Sequence, residues 1–406
     1  MHLKHLTLLA FLTALLLVFA TSVGGSEVRT FGTGGRNIYR LAKGNLSGQP
    51  GEQQIIGATY DGRVCAFSMT ANELRHDWDG ATGGFAFSLA VGDLDRDGRD
   101  EVYAGCADGR VYAFSGEGKP LWQTELLAPV YQVAVVKTKP GTFLVAGTVN
   151  GQVMILSVAG KVEQRLELKG AIRTLTSGDY DGDGDQELFV TGFARDDFAY
   201  CQFLRLPNLR PFSASWQEPR LLEDAGRADH GINACAADLF GRGKDVLVFQ
   251  EGVLIPEACA QSIARLPKPG PGAMYADAYR MRIPAVGDFL LSRPGREVVI
   301  VFGDELGVYS CPDAAADFKP VETEKVTNAD WKAAGKKKLK AIKAEAQEES
   351  KKQGSKVVLA ERLAYARSPI SFNDVLTVSV NGRDALLLAS APNGDDNLYL
   401  VNLDEQ

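Results

Sequence analysis

Two stretches of this chain set carboxylates at alternate positions and then turn on a glycine. Asp93-Leu94-Asp95-Arg96-Asp97-Gly98-Arg99-Asp100-Glu101 is matched by Asp179-Tyr180-Asp181-Gly182-Asp183-Gly184-Asp185-Gln186-Glu187. Alternate acids let a short loop wrap several oxygens around one hard cation. Calcium accepts about six to eight oxygen ligands in irregular geometry, whereas magnesium demands a near-ideal octahedron. The expected chemistry is therefore calcium binding. An EF-hand is excluded, because its bidentate acid belongs at loop position ~12, where this chain has Ala104 or Val190. Both loops also run into strand-like sequence, where an EF-hand needs a helix.

The elements that must position these loops form a repeat. Leu89–Phe114 reads LAVGDLDRDGRDEVYAGCADGRVYAF, and Tyr39–Phe67 reads YRLAKGNLSGQPGEQQIIGATYDGRVCAF. Each holds an apolar strand, a polar loop, a second strand, Asp-Gly and a third strand. Val133–Leu156 repeats the form around Asn150-Gly151, and Thr174–Leu206 does so with Arg195-Asp196-Asp197 in place of the turn glycine. Ala234–Ile255, Ile283–Cys311 and Asp374–Leu403 are weaker copies. Short strands bounded by Asp-Gly or Asn-Gly hairpin turns, in seven units, predict an all-β, seven-bladed β-propeller of four-stranded blades. A linear solenoid would show a shorter period and need caps. The seventh unit ends after three strands, so Glu27–Phe31 is expected to pair with Leu398–Leu403 and close the ring.

In this strand context the acidic loops resemble the FG-GAP or VCBS-type repeats of integrin-like propellers. The resemblance implies calcium held between the first and second strands of a blade. Carried over, the ligands are Asp93, Asp95, Asp97, the Arg99 carbonyl and Glu101. The second set is Asp179, Asp181, Asp183, the Asp185 carbonyl and Glu187. Asn45, Asp238 and Asp288 stand at the same place in other units as degenerate remnants. The bland alternative is a solvated acidic turn. A second resemblance overlaps the first: Asp108–Phe114 followed by Gly116–Trp122 is similar to a blade of the quinoprotein-type propellers. That family includes dehydrogenases using pyrroloquinoline quinone and also cofactor-free propellers that bind proteins. Its enzymes carry adjacent cysteines, and no Cys-Cys occurs here, so Tyr112, Phe114 and Trp122 read as blade-packing residues.

Composition narrows the classes further. A hydrophobic fraction of 45% with 23% charged residues can bury a globular core. A net charge of −7 argues against nucleic-acid binding, which wants a basic face. Of the 4 histidines, His2 and His5 lie in the leader, so a histidine-built metal site is not expected. Lys4, the apolar run Leu6 to Ala20 and the small residues Thr21 to Ser26 read as a secretory signal peptide over residues 1–25. A single propeller domain over 26–406 is then expected in the periplasm or outside the cell, with an uncleaved membrane anchor as the alternative. The 6 cysteines are too sparse for a disulfide framework. Cys235 with Cys259 is the candidate pair.

Between Pro312 and Ser368 the strand pattern stops, which predicts a helical insert over 313–368 before the last blade. Thr327-Asn328-Ala329-Asp330 resembles a capped helix start, Trp331, Leu339, Ile342 and Ala346 follow near helical spacing, and Gly354 is a stop. The segment is rich in lysine on an acidic body, so it suits an anionic envelope surface. The alternative is a solvated helix packed on the ring by Trp331 and Leu339.

No catalytic constellation is visible: there is no Gly-x-Ser-x-Gly, no zinc-type cluster and no phosphate loop. Fold alone does not give function. The leading expectation is a monomeric, exported, calcium-binding module for a protein or glycan, bound on the face opposite the calcium loops. The alternatives are a quinone-dependent or carbohydrate-acting enzyme with its site at the central channel, and an envelope scaffold held by the lysine-rich helix.

Overall fold

Apolar alternation and tight turns make each repeat unit pair with itself as an antiparallel sheet. The computed structural model describes residues 27–194, 198–221, 233–249, 252–258, 262–266, 282–290, 292–313, 358–368, 370–390 and 395–403. Seven sheets result, each running from an innermost to an outer strand. Blade 1 is Ile38–Gly44, Gln54–Thr59, Arg63–Met69 and Leu74–Ala81. Blade 2 is Ala86–Gly92, Glu101–Cys106, Arg110–Phe114 and Pro120–Glu125, and blade 3 is Val130–Lys137, Thr142–Thr148, Gln152–Leu156 and Val162–Glu167. Blade 4 begins Ala171–Gly178, Glu187–Ala194 and Phe198–Arg205, with the short strands Arg210–Pro211 and Arg220–Leu221 sharing the outer edge.

Blade 5 is Ala234–Ala237, Val246–Phe249, Gly252–Leu254 and Ser262–Arg265. Blade 6 is Arg282–Gly287, Glu297–Phe302, Glu305–Ser310 and Glu361–Arg367, and blade 7 opens with Phe372–Val380, Arg383–Ser390 and Asn397–Asn402. The innermost strands touch in chain order, and Phe372–Val380 of blade 7 returns to Ile38–Gly44 of blade 1. The protein is thus a seven-bladed propeller around a central channel.

The ring closes as the sequence predicts. Glu27–Gly32 is the outer strand of blade 7, antiparallel to Asn397–Asn402 with Glu27 opposite Asn402 and Phe31 opposite Leu398. Pairing the two hides edges that would otherwise template aggregation.

The core lies between blades, not within one. Seven apolar clusters occupy the seven interfaces. One joins Ile56, Val64 and Ala66 of blade 1 to Val102, Tyr112 and Phe114 of blade 2. Outer strands add indole staples. Trp78 Nε1 donates to the Gly116 carbonyl of the next blade at 2.9 Å, and Trp122 Nε1 to that of Val158 at 2.7 Å. Tyr112, Phe114 and Trp122 are all engaged in such interfaces. Gly118 lies beneath the Trp78 ring at φ +80°, where a Cβ would stand 2.5 Å from the indole. That position requires glycine twice over.

The end of the expected insert is corrected. Val358–Leu359 runs parallel to Ser262–Arg265, and Glu361–Arg367 is the outer strand of blade 6. Outer strands cover a neighbour with few apolar groups, as the largely exposed Leu74–Ala81 and Pro120–Glu125 show. The pattern in Glu361-Arg362-Leu363-Ala364 is correspondingly weak, yet the blade needs a fourth strand. The helix expected between Thr327 and Gly354 lies outside the described residues, as does the leader. Among the described residues only two short 3-10 turns occur, Ala214–Trp216 and Pro256–Ala258, and no helix is long and apolar enough to cross a membrane. Cys235 is a free cysteine, so it does not carry the expected disulfide; Cys259 lies outside the described residues.

Candidate metal centre

Each acidic loop leaves the end of an innermost strand and re-enters the sheet on a glutamate. In blade 2 the loop is folded by its own carboxylates. Asp93 accepts the N–H of Asp97 at 3.1 Å and of Gly98 at 3.0 Å, and Asp97 accepts that of Arg99 at 2.8 Å. Positive φ at Arg96 (64°) and Gly98 (90°) makes the turn sharp enough for this. Glu101 closes the loop: its Oε2 accepts the Leu94 N–H at 3.0 Å and the Tyr103 hydroxyl at 2.9 Å.

The result is a cluster. Asp93, Asp95, Asp97 and Glu101 each offer an oxygen, all within 4.8 Å of one another. No ion pair to any of the four is present among the described residues, since Arg99 turns away to Glu117. Glu101 is 5% exposed. Burial raises its carboxyl above the usual carboxylate range, and Asp95 and Asp93 push the same way; the Leu94 and Tyr103 donors offset part of this. An all-oxygen set with unbalanced negative charge suits a hard divalent cation.

The second loop has the same frame and a different content. Asp179 accepts from Gly182 at 2.8 Å and Gly184 at 2.9 Å, and Glu187 Oε2 from the Tyr180 N–H at 3.1 Å. Asp179, Asp181 and Glu187 converge within 4.8 Å, and Asp183 falls outside that grouping. In this loop the chain itself supplies a cation. Arg205, at the end of the third strand, pairs with Asp181, with Asp183 at 3.4 Å and with Glu187 Oε1 at 3.4 Å. Its guanidinium rests on the Phe212 ring, 4.8 Å from the centroid. Lys139 Nζ also reaches the Asp183 carbonyl at 2.6 Å. Burial still pushes the Glu187 carboxyl up to about 7, with Asp181 repulsion second and Arg205 only partly offsetting it.

The hairpin registers show what differs. Leu188 lies opposite Leu204 in blade 4, and Val102 opposite Phe114 in blade 2. Arg205 and Ser115 are therefore equivalent positions, each one residue beyond. The first loop has a serine where the second has a guanidinium.

Of the residues expected from sequence, seven carboxylates converge as two groups. Arg99 and Asp185, whose carbonyls completed the expected sets, show side-chain contacts to Glu117 and to the Lys139 N–H. Asn45, Asp238 and Asp288 do occupy equivalent loops. Asp238 accepts from Arg242 at 2.8 Å and Gly243 at 2.9 Å, which keeps the folding role of Asp93 without the other acids.

One device escaped the sequence reading. Asp100 Oδ2 accepts the Asn45 N–H of the preceding blade at 2.8 Å, and Asp245 Oδ2 accepts that of Asp179 at 2.9 Å. Gln186 holds Lys137 at 2.8 Å, and Asp384 holds Asp288 at 2.9 Å. These latches sit beside the loops and tie neighbouring blades. A recurrent polar residue just before the second strand, or at its start in blade 7, was their signal.

Comparison with known proteins follows the same segment. Residues 54–195, which contain both loops, match the lambda-carrageenase β-propeller domain family. A lambda-carrageenase of Pseudoalteromonas carrageenovora is 28% identical over 151 residues, 37% of this chain and 14% of that protein. Another, from a Pseudoalteromonas species, is 29% identical over 134 residues, 32% of this chain and again 14% of the relative. The chain therefore spans about one seventh of these curated relatives. Among solved structures, BBS1N in complex with ARL6DN superposes with a TM-score of 0.56 at 12% identity, covering 94% of this chain and 97% of that one. The WD40 propeller of Doa1 gives 0.52 at 9% identity, with 93% and 97% covered. Such low identities show the fold alone. The chain is a seven-bladed β-propeller, and in blades 1 to 4 it is similar to the propeller domain of lambda-carrageenases.

Proposed function

We propose that this chain is an exported, calcium-stabilised propeller that works as a glycan-binding module. The glycan reading is carried by the similarity of residues 54–195 to the propeller domain of enzymes named for a glycan, lambda-carrageenan. That the shared part is the propeller, and only 14% of each relative, favours binding over cleavage. Calcium is supported by Asp93, Asp95, Asp97 and Glu101, whose oxygens converge without a counter-charge; the FG-GAP or VCBS-type loop is the fitting description of that arrangement. Bound there, calcium crosslinks the loop to the second strand of blade 2. Export rests on the leader sequence alone, and fractionation of the expressing cell tests it.

Incubation of the mature protein with a panel of soluble polysaccharides tests the main reading, by affinity electrophoresis and by assay of new reducing ends. Retardation without new reducing ends is expected. Release of reducing ends would instead establish the carbohydrate-acting enzyme. No retardation by any polysaccharide refutes the glycan reading.

A further inference from the structure

The starts of the innermost strands lie at the end of the channel opposite the acidic loops, and there five blades share an irregularity. The pairing of first and second strands slips between Ile38 and Arg40, Ala86 and Ser88, Val130 and Gln132, Ile172 and Thr174, and Phe372 and Asp374. Each slip is a β-bulge, which ejects one side chain from the ladder and re-aims it. The residues ejected are Tyr39, Phe87, Tyr131, Arg173 and Asn373.

These side chains are not independent. Tyr39 meets Phe85 at 4.6 Å between centroids, Phe85 meets Phe87 at 5.3 Å, and Phe87 meets Tyr131 at 4.8 Å. Tyr60 packs on Tyr39 at 5.2 Å, and its hydroxyl accepts from Asn373. The Arg173 guanidinium caps the other end, 4.4 Å from the Tyr131 centroid. A continuous belt thus crosses blades 7, 1, 2, 3 and 4, and all its rings are half-buried, not core. Blade packing does not need it, because the seven interfaces are already filled by other residues.

The geometry points to this belt as the binding site for an acidic saccharide, carrying sulfate or carboxylate groups; it rests on the glycan reading above. Ring faces accept the C–H faces of pyranoses, and tyrosine combines such a face with a polar tip. Sugar hydroxyls need both donors and acceptors. Among the described residues, the buried Arg173 Nε and the buried Asn37 Oδ1 each lack a hydrogen-bond partner. Asn37 belongs to the belt's edge, since its carbonyl accepts the Tyr60 N–H at 3.2 Å.

Charge selects an anion over a neutral sugar. The nearby carboxylates are matched: Asp61 by Arg63 at 2.9 Å, Asp108 by the Tyr112 hydroxyl at 2.6 Å and Arg110 at 3.6 Å, and Asp374 by Arg40 at 3.9 Å. Arg173 makes no ion pair among the described residues. The planar fork of a guanidinium matches the oxygens of sulfate or carboxylate.

Isothermal titration of the mature protein with sulfated galactan, polyuronate and neutral galactan oligosaccharides tests the assignment. The wild type should prefer one of the acidic series, and which one identifies the anion. Arg173→Gln should lose that preference at least tenfold, and Tyr131→Ala should weaken every sugar by a similar factor. Glu163→Gln, on the exposed outer strand of blade 3, should bind sugar as the wild type does. Thermal melts confirm that each variant is folded, and Phe87→Leu replaces Tyr131→Ala if the latter is not. Wild-type affinity in the folded belt variants overturns this site while leaving glycan binding intact. A wild type that binds no sugar overturns both, as does a folded protein whose belt variants lose only a protein ligand.

Discussion

Arg205 places a guanidinium nitrogen 3.4 Å from Glu187 Oε1, inside the loop whose twin in blade 2 has no ion pair to its clustered carboxylates among the described residues. On the calcium reading proposed above, the twin loops differ in which cation balances them: the chain's own in blade 4, one from solution in blade 2. The wild type should bind one calcium ion by calorimetry, and Arg205→Ser should bind two. Two sites in the wild type would refute the assignment of Arg205. None would refute calcium altogether.

Removing Arg205 should also cost stability before calcium is added. Glu187 is 1% exposed and would lose its counter-charge, but Arg205 is 38% exposed and the pair is screened by water. A loss of ~1–2 kcal/mol is expected, regained on adding calcium. Chemical denaturation with and without calcium measures it, and a calcium-independent loss contradicts the exchange of one cation for another.

Calcium itself should raise the melting temperature. Extracellular sites bind at ~10⁻⁴–10⁻³ M, so ~10 mM calcium stabilises the folded state by ~1.4–2.7 kcal/mol. Asp95→Ala should abolish the shift, whereas Asp181→Ala should preserve it, because its loop is balanced by Arg205. Identical melts in chelator and in calcium would exclude the blade 2 site.

Gly118→Ala should destabilise by at least ~2 kcal/mol, since φ is +80° and the new methyl meets Trp78 at 2.5 Å. In the Trp78→Ala background the cost should fall to the backbone part alone. A double-mutant cycle showing no coupling between the two would remove the staple as an energetic feature.

Deleting residues 27–31 should destabilise the entire ring, because it strips blade 7 of its outer strand and bares the edge of Asn397–Asn402. Urea denaturation reads the loss. A truncated protein with the parent's midpoint would show the strand to be dispensable.

The propeller was legible because its signals are local. Asp108-Gly109 and Asn150-Gly151 mark hairpins, and the buried second and third strands read as apolar runs. Glu361–Arg367 was missed because an outer strand has one face in water and little apolar pattern. The loops were legible for the same local reason, with their ligands within nine consecutive residues. Arg205 was not, because only the register of the blade 4 hairpin brings it to Glu187. The belt was hidden more deeply, since a bulge leaves no mark in the sequence and its members come from five blades.

The outer strand of blade 7 has one further consequence, for the order in which the molecule is made. Glu27–Gly32 leaves the ribosome among the first described residues, and its partner Asn397–Asn402 among the last. Six blades can form in turn as they emerge, but the seventh must wait, with a strand held unpaired throughout synthesis. Distant pairings form slowly, and waiting edges attract wrong partners. The period between the first blade and the last is therefore the interval in which this protein most needs protection by a holding chaperone.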